Sequence, residues 1–241
     1  MTDPTSGPQL IRCASPEAFI HQTALYLAEH IDRAVAVHGQ CLLALSGGRT
    51  PAPIYQRLGA AVLPWRHVTV TLTDERFVPP TSPDSNARLI ADSLGAGVAQ
   101  AAQFVPLWSD TTDLERAATL AEERLGLIHR RFDVVVLGMG DDGHTASLFP
   151  HTPKLVAGLD PESSRSCIAV EPYSPAPTQP RLSLTLSRLL ASDRIVLLLT
   201  GEAKMKTLER ALAGDDAVDM PIRAVLRQTR TPVDIYWGPE S

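Results

Sequence analysis

Cysteine is scarce in this sequence, and nothing pairs it. Cys13, Cys41 and Cys167 are odd in number and widely spaced, with no C-x-x-C pair, which argues against a disulfide framework or a cysteine zinc site and fits a reducing compartment. Blocks of one charge are also missing. The 22 basic and 27 acidic residues leave a net charge of −5 without a like-charge run, so no general nucleic-acid or anionic-membrane surface is expected, and an anionic ligand must find a local basic cluster. The longest apolar runs, Ile195 to Leu199 among them, are far short of the ~18 residues that a spanning helix needs. The opening stretch, Met1 to Pro8, has neither the basic start nor the apolar core of a signal peptide. The expectation is a cytoplasmic protein, monomeric or weakly homo-oligomeric, with no nucleic-acid or membrane partner. What is present is 44% hydrophobic content over 241 residues, enough for a sizeable core, expected as one domain across residues 1–241.

Ser15-Pro16-Glu17 reads as an N-cap, a first-turn proline and an early acid, and Ile20, Ala24, Leu27, Ile31 and Val35 follow at helical spacing. Thr112-Asp-Leu-Glu115 matches a capping box that opens a helix with Leu114, Ala118, Ala121, Leu125 and Ile128 on one face. Further helices are expected over residues 54–58 and after Gly201. Short apolar runs read as strands: Cys41 to Leu45, Val68 to Leu72, Gln103 to Leu107, Phe132 to Leu137, Cys167 to Val170, Leu182 to Leu186, Ile195 to Leu199 and Val233 to Trp237. Unbroken apolar strands alternating with helical segments indicate an α/β fold, Rossmann-like, with a mostly parallel, open twisted sheet and helices on both faces. The proline-rich passage 172–180 reads as a long loop on the active-site side or in a crossover.

The polar and glycine-rich segments fall at one recurring place. Ser46-Gly-Gly, Asp74-Glu-Arg76, Gly138 to His144 and Gly201-Glu-Ala-Lys204 each begin where an expected strand stops, the edge at which open parallel sheets bind ligands. Their convergence on one crevice is therefore expected. Ser46, Gly47, Gly48 and Thr50 could cradle a phosphate with backbone N–H groups and hydroxyls, and Arg181 and Lys204 could supply countercharge. His144, placed where free N–H groups at a segment start favour anions, could take a proton from water as a neutral imidazole. Asp142 or Asp74 could orient it, and Arg76 could stabilise charge on a carbonyl oxygen under attack. These parts describe water activated against an ester or lactone that a distant phosphate holds in register.

Rival motifs are weaker. Gly138-Met-Gly-Asp-Asp-Gly143 satisfies the dinucleotide fingerprint letter for letter, but its two aspartates would repel a pyrophosphate and no acid ends the next strand. No lysine follows the glycines after Ser46, so this is not a P-loop. Ala44-Leu-Ser-Gly-Gly48 approximates a nucleophile elbow, yet no histidine stands late in the chain, His151 being the last. His144 and His151 with Asp141 or Asp142 give no metal-ligand spacing. No metal is expected.

Taken together, Leu45-Ser-Gly-Gly-Arg-Thr-Pro51, Thr73-Asp-Glu-Arg-Phe-Val-Pro79 with Asp84-Ser-Asn86, and Gly138-Met-Gly-Asp-Asp-Gly-His-Thr-Ala-Ser-Leu-Phe-Pro150 resemble the 6-phosphogluconolactonase family. The match extends in order through Arg181-Leu-Ser-Leu-Thr-Leu186 and Gly201-Glu-Ala-Lys204, covering nearly the whole chain. The resemblance implies a glucosamine-6-phosphate deaminase-like fold and hydrolysis of a phosphosugar lactone, 6-phospho-D-glucono-1,5-lactone, in the oxidative pentose phosphate pathway, without a cofactor. It also implies His144 as general base, Arg76 at the reacting end, and the 46–50 loop, Arg181 and Lys204 around the phosphate. The related deaminases resemble Asp-Glu-Tyr where this chain has Asp74-Glu-Arg76, and carry a glutamate where it has Phe149. An isomerase that opens a ring needs that further carboxylate, so the substitution favours hydrolysis. A non-catalytic sugar-phosphate sensor is a third reading, opposed by the intact His144, Asp142 and Arg76. His151 and Ser187 depart from the family pattern and carry no assigned role.

Overall fold

The computed structural model describes residues 7–240, so most of the opening stretch used to judge a signal peptide lies outside the described residues. The first elements of the described residues are β1 (Gln9–Arg12) and α1 (Pro16–His38). Ser15 caps α1 by accepting from the Ala18 N–H, and Gly39, at φ 74°, ends it in the left-handed region that glycine adopts without a Cβ penalty. The buried stripe of α1 runs through Phe19, Thr23, Ala24, Leu27, Ile31 and Ala34, so the expected face is right at its centre. At its ends, Phe19 and Ala34 replace the expected Ile20 and Val35 as the buried positions.

There follow β2 (Cys41–Leu45), α2 (Ala52–Gly59), β3 (Val68–Leu72), β4 (Asp74–Arg76), α3 (Asn86–Leu94), α4 (Ala96–Ala101), β5 (Gln103–Val105) and α5 (Leu114–Gly126). The cap of α5 is Asp113, whose side chain accepts from the Arg116 N–H, rather than the expected Thr112. The second half contains β6 (Val134–Leu137), α6 (Leu155–Gly158), β7 (Cys167–Val170), β8 (Arg181–Leu184), α7 (Leu186–Leu190), β9 (Ile195–Thr200), α8 (Glu202–Ala213), α9 (Ile222–Arg227) and β10 (Val233–Gly238).

Seven strands form one sheet in the order β1-β10-β9-β6-β2-β3-β5, every pairing parallel. From β2 the chain steps outward to β3 and β5, and from β6 it steps the other way to β9 and β10. Right-handed crossovers therefore place α1 to α4 on one face and α5 and α7 to α9 on the other. With both faces covered, the central strands β2 and β6 are buried at every residue. The reversal of direction falls between β2 and β6, and at such a switch point the loops leaving the carboxyl ends diverge and open a crevice.

A second sheet was not expected. β4, β8 and β7 pair antiparallel, with Asp74 opposite Ser183 and Arg76 opposite Arg181. This small sheet stands beyond the end of β3 and walls one side of the crevice. Among the described residues, no helix is long and apolar enough to cross a membrane.

Candidate active site

The loops after β2 and β6, the strand β4 and the start of α8 line one cavity of about 290 Å³, together with Asn86 and Arg181. Ser46, Gly47, Gly48, Asp74, Arg76, His144, Arg181 and Lys204 all border it. Asp142 stands just behind, through its bond to His144. The expected convergence is therefore observed, with one exception. Thr50 does not border this cavity; its hydroxyl lies 3.3 Å from that of Thr200, and it lines a separate hollow with Arg49 and Glu240. The loop turns after Gly48, which has φ 109°, and carries Thr50 away.

The 138–144 turn is closed by two backbone bonds, from the Gly140 N–H to the His144 carbonyl and from the Gly143 N–H to the Gly140 carbonyl. No helix follows His144; residues 145–148 form a tight turn closed by an isolated bridge between Thr145 and Leu148. Inside the turn, Asp142 Oδ1 lies 2.6 Å from His144 Nδ1 and 3.0 Å from its backbone N. The ring donates Nδ1–H to the carboxylate, which leaves Nε2 as the free acceptor. Burial pushes the Asp142 carboxyl up, but the hydrogen bonds and charge of His144 outweigh it and hold the carboxyl below its ordinary value. A Cβ on Gly140 would fall 2.0 Å from His144 Nδ1 and 2.5 Å from Asp142 Oδ1. The imidazole and its carboxylate thus rest on the backbone where only glycine leaves room.

Of the two aspartates expected to orient the histidine, Asp142 does so. Asp74 is bound elsewhere: its Oδ2 accepts from the Ser147 hydroxyl at 2.6 Å and lies 3.7 Å from Arg181 Nη1. The ring of Phe149 packs on His144 with centroids 4.2 Å apart, and the Arg181 guanidinium sits 5.4 Å from its centroid. An apolar ring thus occupies the position between base and cation where a carboxylate would face both.

Cations crowd the other wall. Arg76 and Arg181 are cross-strand partners, an arrangement of like charges that costs stability unless an anion joins them. Burial lowers the Arg181 pKa, Asp74 opposes that shift, and Arg76 adds to it. Among the described residues, the Nε atoms of both arginines and the buried Ser46 hydroxyl have no hydrogen-bond partner, so these cavity-lining residues keep donors that an incoming acceptor can use. The Tyr55 hydroxyl donates to the Ser46 carbonyl at 2.9 Å and fixes the start of the phosphate-loop candidate.

Two residues were missed as site-builders. Asn86, 2% exposed, donates from Nδ2 to the Asp74 carbonyl and accepts at Oδ1 from Arg76. A Cβ on Gly47 would lie 1.9 Å from that same Oδ1, so Asn86 joins the first loop to the arginine strand. Glu75, fully buried, accepts from Ser85 and from the backbone of Arg76, Asn86 and Ala87, which pins the start of α3 beneath the site. Burial raises its pKa against those bonds. The sequence signal for both was the Asp84-Ser-Asn86 stretch. His151 pairs with Asp219 at 3.3 Å, is exposed, and does not border the cavity. Among the described residues, donors close enough to share a metal are His38, Asp133 and Asp193, at the opposite edge of the sheet. Asp133 and Asp193 there are already paired with Arg130 and Arg131.

Comparison with known proteins places relatives of this chain in one family. Residues 14–237 match the family described as glucosamine-6-phosphate isomerases/6-phosphogluconolactonase. The chain is 47% identical to a 6-phosphogluconolactonase of Pseudomonas putida, over 88% of this chain and 86% of that protein. It is 46% identical to one of Caulobacter vibrioides, over 93% and 94%. Among solved structures, a 6-phosphogluconolactonase from Shewanella baltica superposes with a TM-score of 0.91 at 38% identity, covering 97% of this chain and 99% of that one.

Proposed function

The chain belongs to the glucosamine-6-phosphate isomerase/6-phosphogluconolactonase family, on its lactonase branch, and from that membership we propose how its residues divide the reaction. The reaction is hydrolysis of 6-phosphogluconolactone to 6-phosphogluconate in the pentose phosphate pathway.

His144 is the general base. Its Nε2 takes a proton from a water molecule as the water oxygen bonds to C1 of the lactone, while Asp142 steadies the imidazolium that forms. The carbonyl electrons move onto oxygen, and Arg76 stabilises that charge in a partly buried setting where a fixed cation is worth more than in water. Collapse of the tetrahedral adduct breaks the bond from C1 to the ring oxygen, which takes the proton back from His144. The acid product ionises and releases one proton per turnover. Ser46, Gly47, Gly48, Arg181 and Lys204 bind the phosphate and so fix C1 against the base. Asp74 holds Arg181 and Ser147 in place without touching the reacting atoms.

The observation that carries this reading is the 2.6 Å pair of His144 and Asp142 beside a cavity with three cations. Phe149 supports hydrolysis over ring-opening isomerisation, because an isomerase needs a second carboxylate where the ring stands. Comparing kcat/KM for 6-phosphogluconolactone and for unphosphorylated gluconolactone tests the division of roles. A preference of at least about 10²-fold for the phosphorylated ring is expected from several charge-assisted contacts. Equal rates would contradict the phosphate assignment.

A further inference from the structure

Asp141 is the acid of the catalytic turn that hydrolysis leaves unused. Its Oδ1 lies 2.6 Å from Nζ of Lys204, and its backbone carbonyl accepts from Arg210 at 2.6 Å. Lys204 and Arg210 both sit on α8, so two contacts tie the turn that carries His144 to the helix that carries a cavity cation. The other two cations are held differently. Arg76 donates to neutral oxygens of Asp84 and Asn86, and the carboxylate paired with Arg181 stands off at 3.7 Å. Lys204 is thus the cavity cation bound to a carboxylate at hydrogen-bond distance. The Asp141 side chain is 83% exposed and that of Lys204 28%, which places the carboxylate on the solvent side of the ammonium.

We propose that Asp141 is a positioning residue that competes with the sugar phosphate for Lys204. This rests on the reading of Lys204 as a phosphate ligand. Asp141 holds the ammonium at the rim; when a phosphate enters, the lysine exchanges one anion for the other, and affinity is lower than a lysine without that partner would give. The exchange suits the chemistry. Hydrolysis turns an uncharged lactone ring into a carboxylate, so the product carries one more negative charge than the substrate. A fixed negative charge at the rim then opposes retention of the more anionic product.

The test is calorimetric binding of 6-phosphogluconate to the wild type, Asp141→Asn, Lys204→Met and the double variant, at low and high salt, with Asp141→Ser as a second neutral replacement. Removing Asp141 is expected to tighten binding about two- to fivefold, the scale of an exposed ion pair, with the gain shrinking as salt rises. Lys204→Met is expected to weaken binding, and Asp141→Asn to add nothing in that background. If both Asp141 variants bind at or below wild-type strength while Lys204→Met still weakens binding, the competition is refuted and the phosphate reading stands. An equal gain from Asp141→Asn with and without Lys204 would also refute it, because the effect would then bypass the lysine. Unchanged affinity in Lys204→Met would overturn the reading beneath it.

Discussion

Replacing Gly140 with alanine inserts one methyl group under the catalytic pair, and the structure sets the size of the consequence. The new Cβ would lie 2.0 Å from His144 Nδ1, where ordinary contact begins at 3.4 Å, so the ring must move by about 1.4 Å or the turn must open. Asp142 cannot follow without strain, since its Oδ1 would be 2.5 Å from the same methyl. Neither group is the far end of a long flexible chain. A displacement of about 1 Å from reacting geometry costs on the order of 10²-fold in rate, so kcat is expected to fall by about that factor. KM should change less than kcat, because the proposed phosphate ligands lie on other elements and only Lys204 is tied to this turn, through Asp141. The assay is proton release during lactone hydrolysis in weak buffer, corrected for the spontaneous rate, with thermal unfolding measured in parallel. Gly126→Ala, at the end of α5 where a Cβ meets nothing within 4 Å, controls for the substitution itself and should retain full activity. A Gly140→Ala enzyme with wild-type kcat would refute the claim that this turn fixes the base.

Two further variants probe contacts at the site. Asp142→Asn should lower kcat by roughly 10²-fold or more, since an amide cannot steady the imidazolium. Because His144 holds the Asp142 carboxyl low, it stabilises the fold above its unfolded pKa near ~3.9 and loses that contribution as pH falls through the folded value. The exposed half of the pair limits this to less than about 1 kcal/mol, so urea midpoints of wild type and variant should differ slightly at neutral pH and converge in acid; divergence in acid would be the wrong sign. Asn86→Ala takes the side-chain donor from the Asp74 carbonyl and leaves Arg76 with only the Asp84 carbonyl of its two acceptors, and should cost about 1–3 kcal/mol in denaturant titrations. It should also slow hydrolysis through a looser Arg76, and a variant unchanged in both would remove Asn86 from the site.

The parallel sheet was legible because strands covered on both faces must be apolar along their length, as Cys41–Leu45 is and as Ile195–Thr200 is up to its last residue. Its loops were legible for a related reason: glycine and charge stand out against such runs. The small antiparallel sheet was not. β4 is only Asp74–Arg76, and three charged residues carry no strand signal; they are extended because β8 pairs with them. That pairing, invisible in the pattern, sets Arg76 against Arg181. The cap of α5 slipped by one residue because Thr112 and Asp113 are both good caps and only the geometry separates them. Thr50 was misplaced for a similar reason, since loop composition does not reveal where the chain turns away. The division between Asp142 and Asp74 depended on tertiary contacts with Ser147 and Arg181, which lie far away in the chain.

The central claim is that His144 activates the water. The direct measurement is the hydrolysis rate of 6-phosphogluconolactone by wild type and His144→Ala, with the spontaneous rate subtracted and 6-phosphogluconate affinity determined for both. The variant is expected to lose about 10²- to 10⁴-fold in kcat while binding the product nearly as well. A folded variant that keeps wild-type turnover would contradict it.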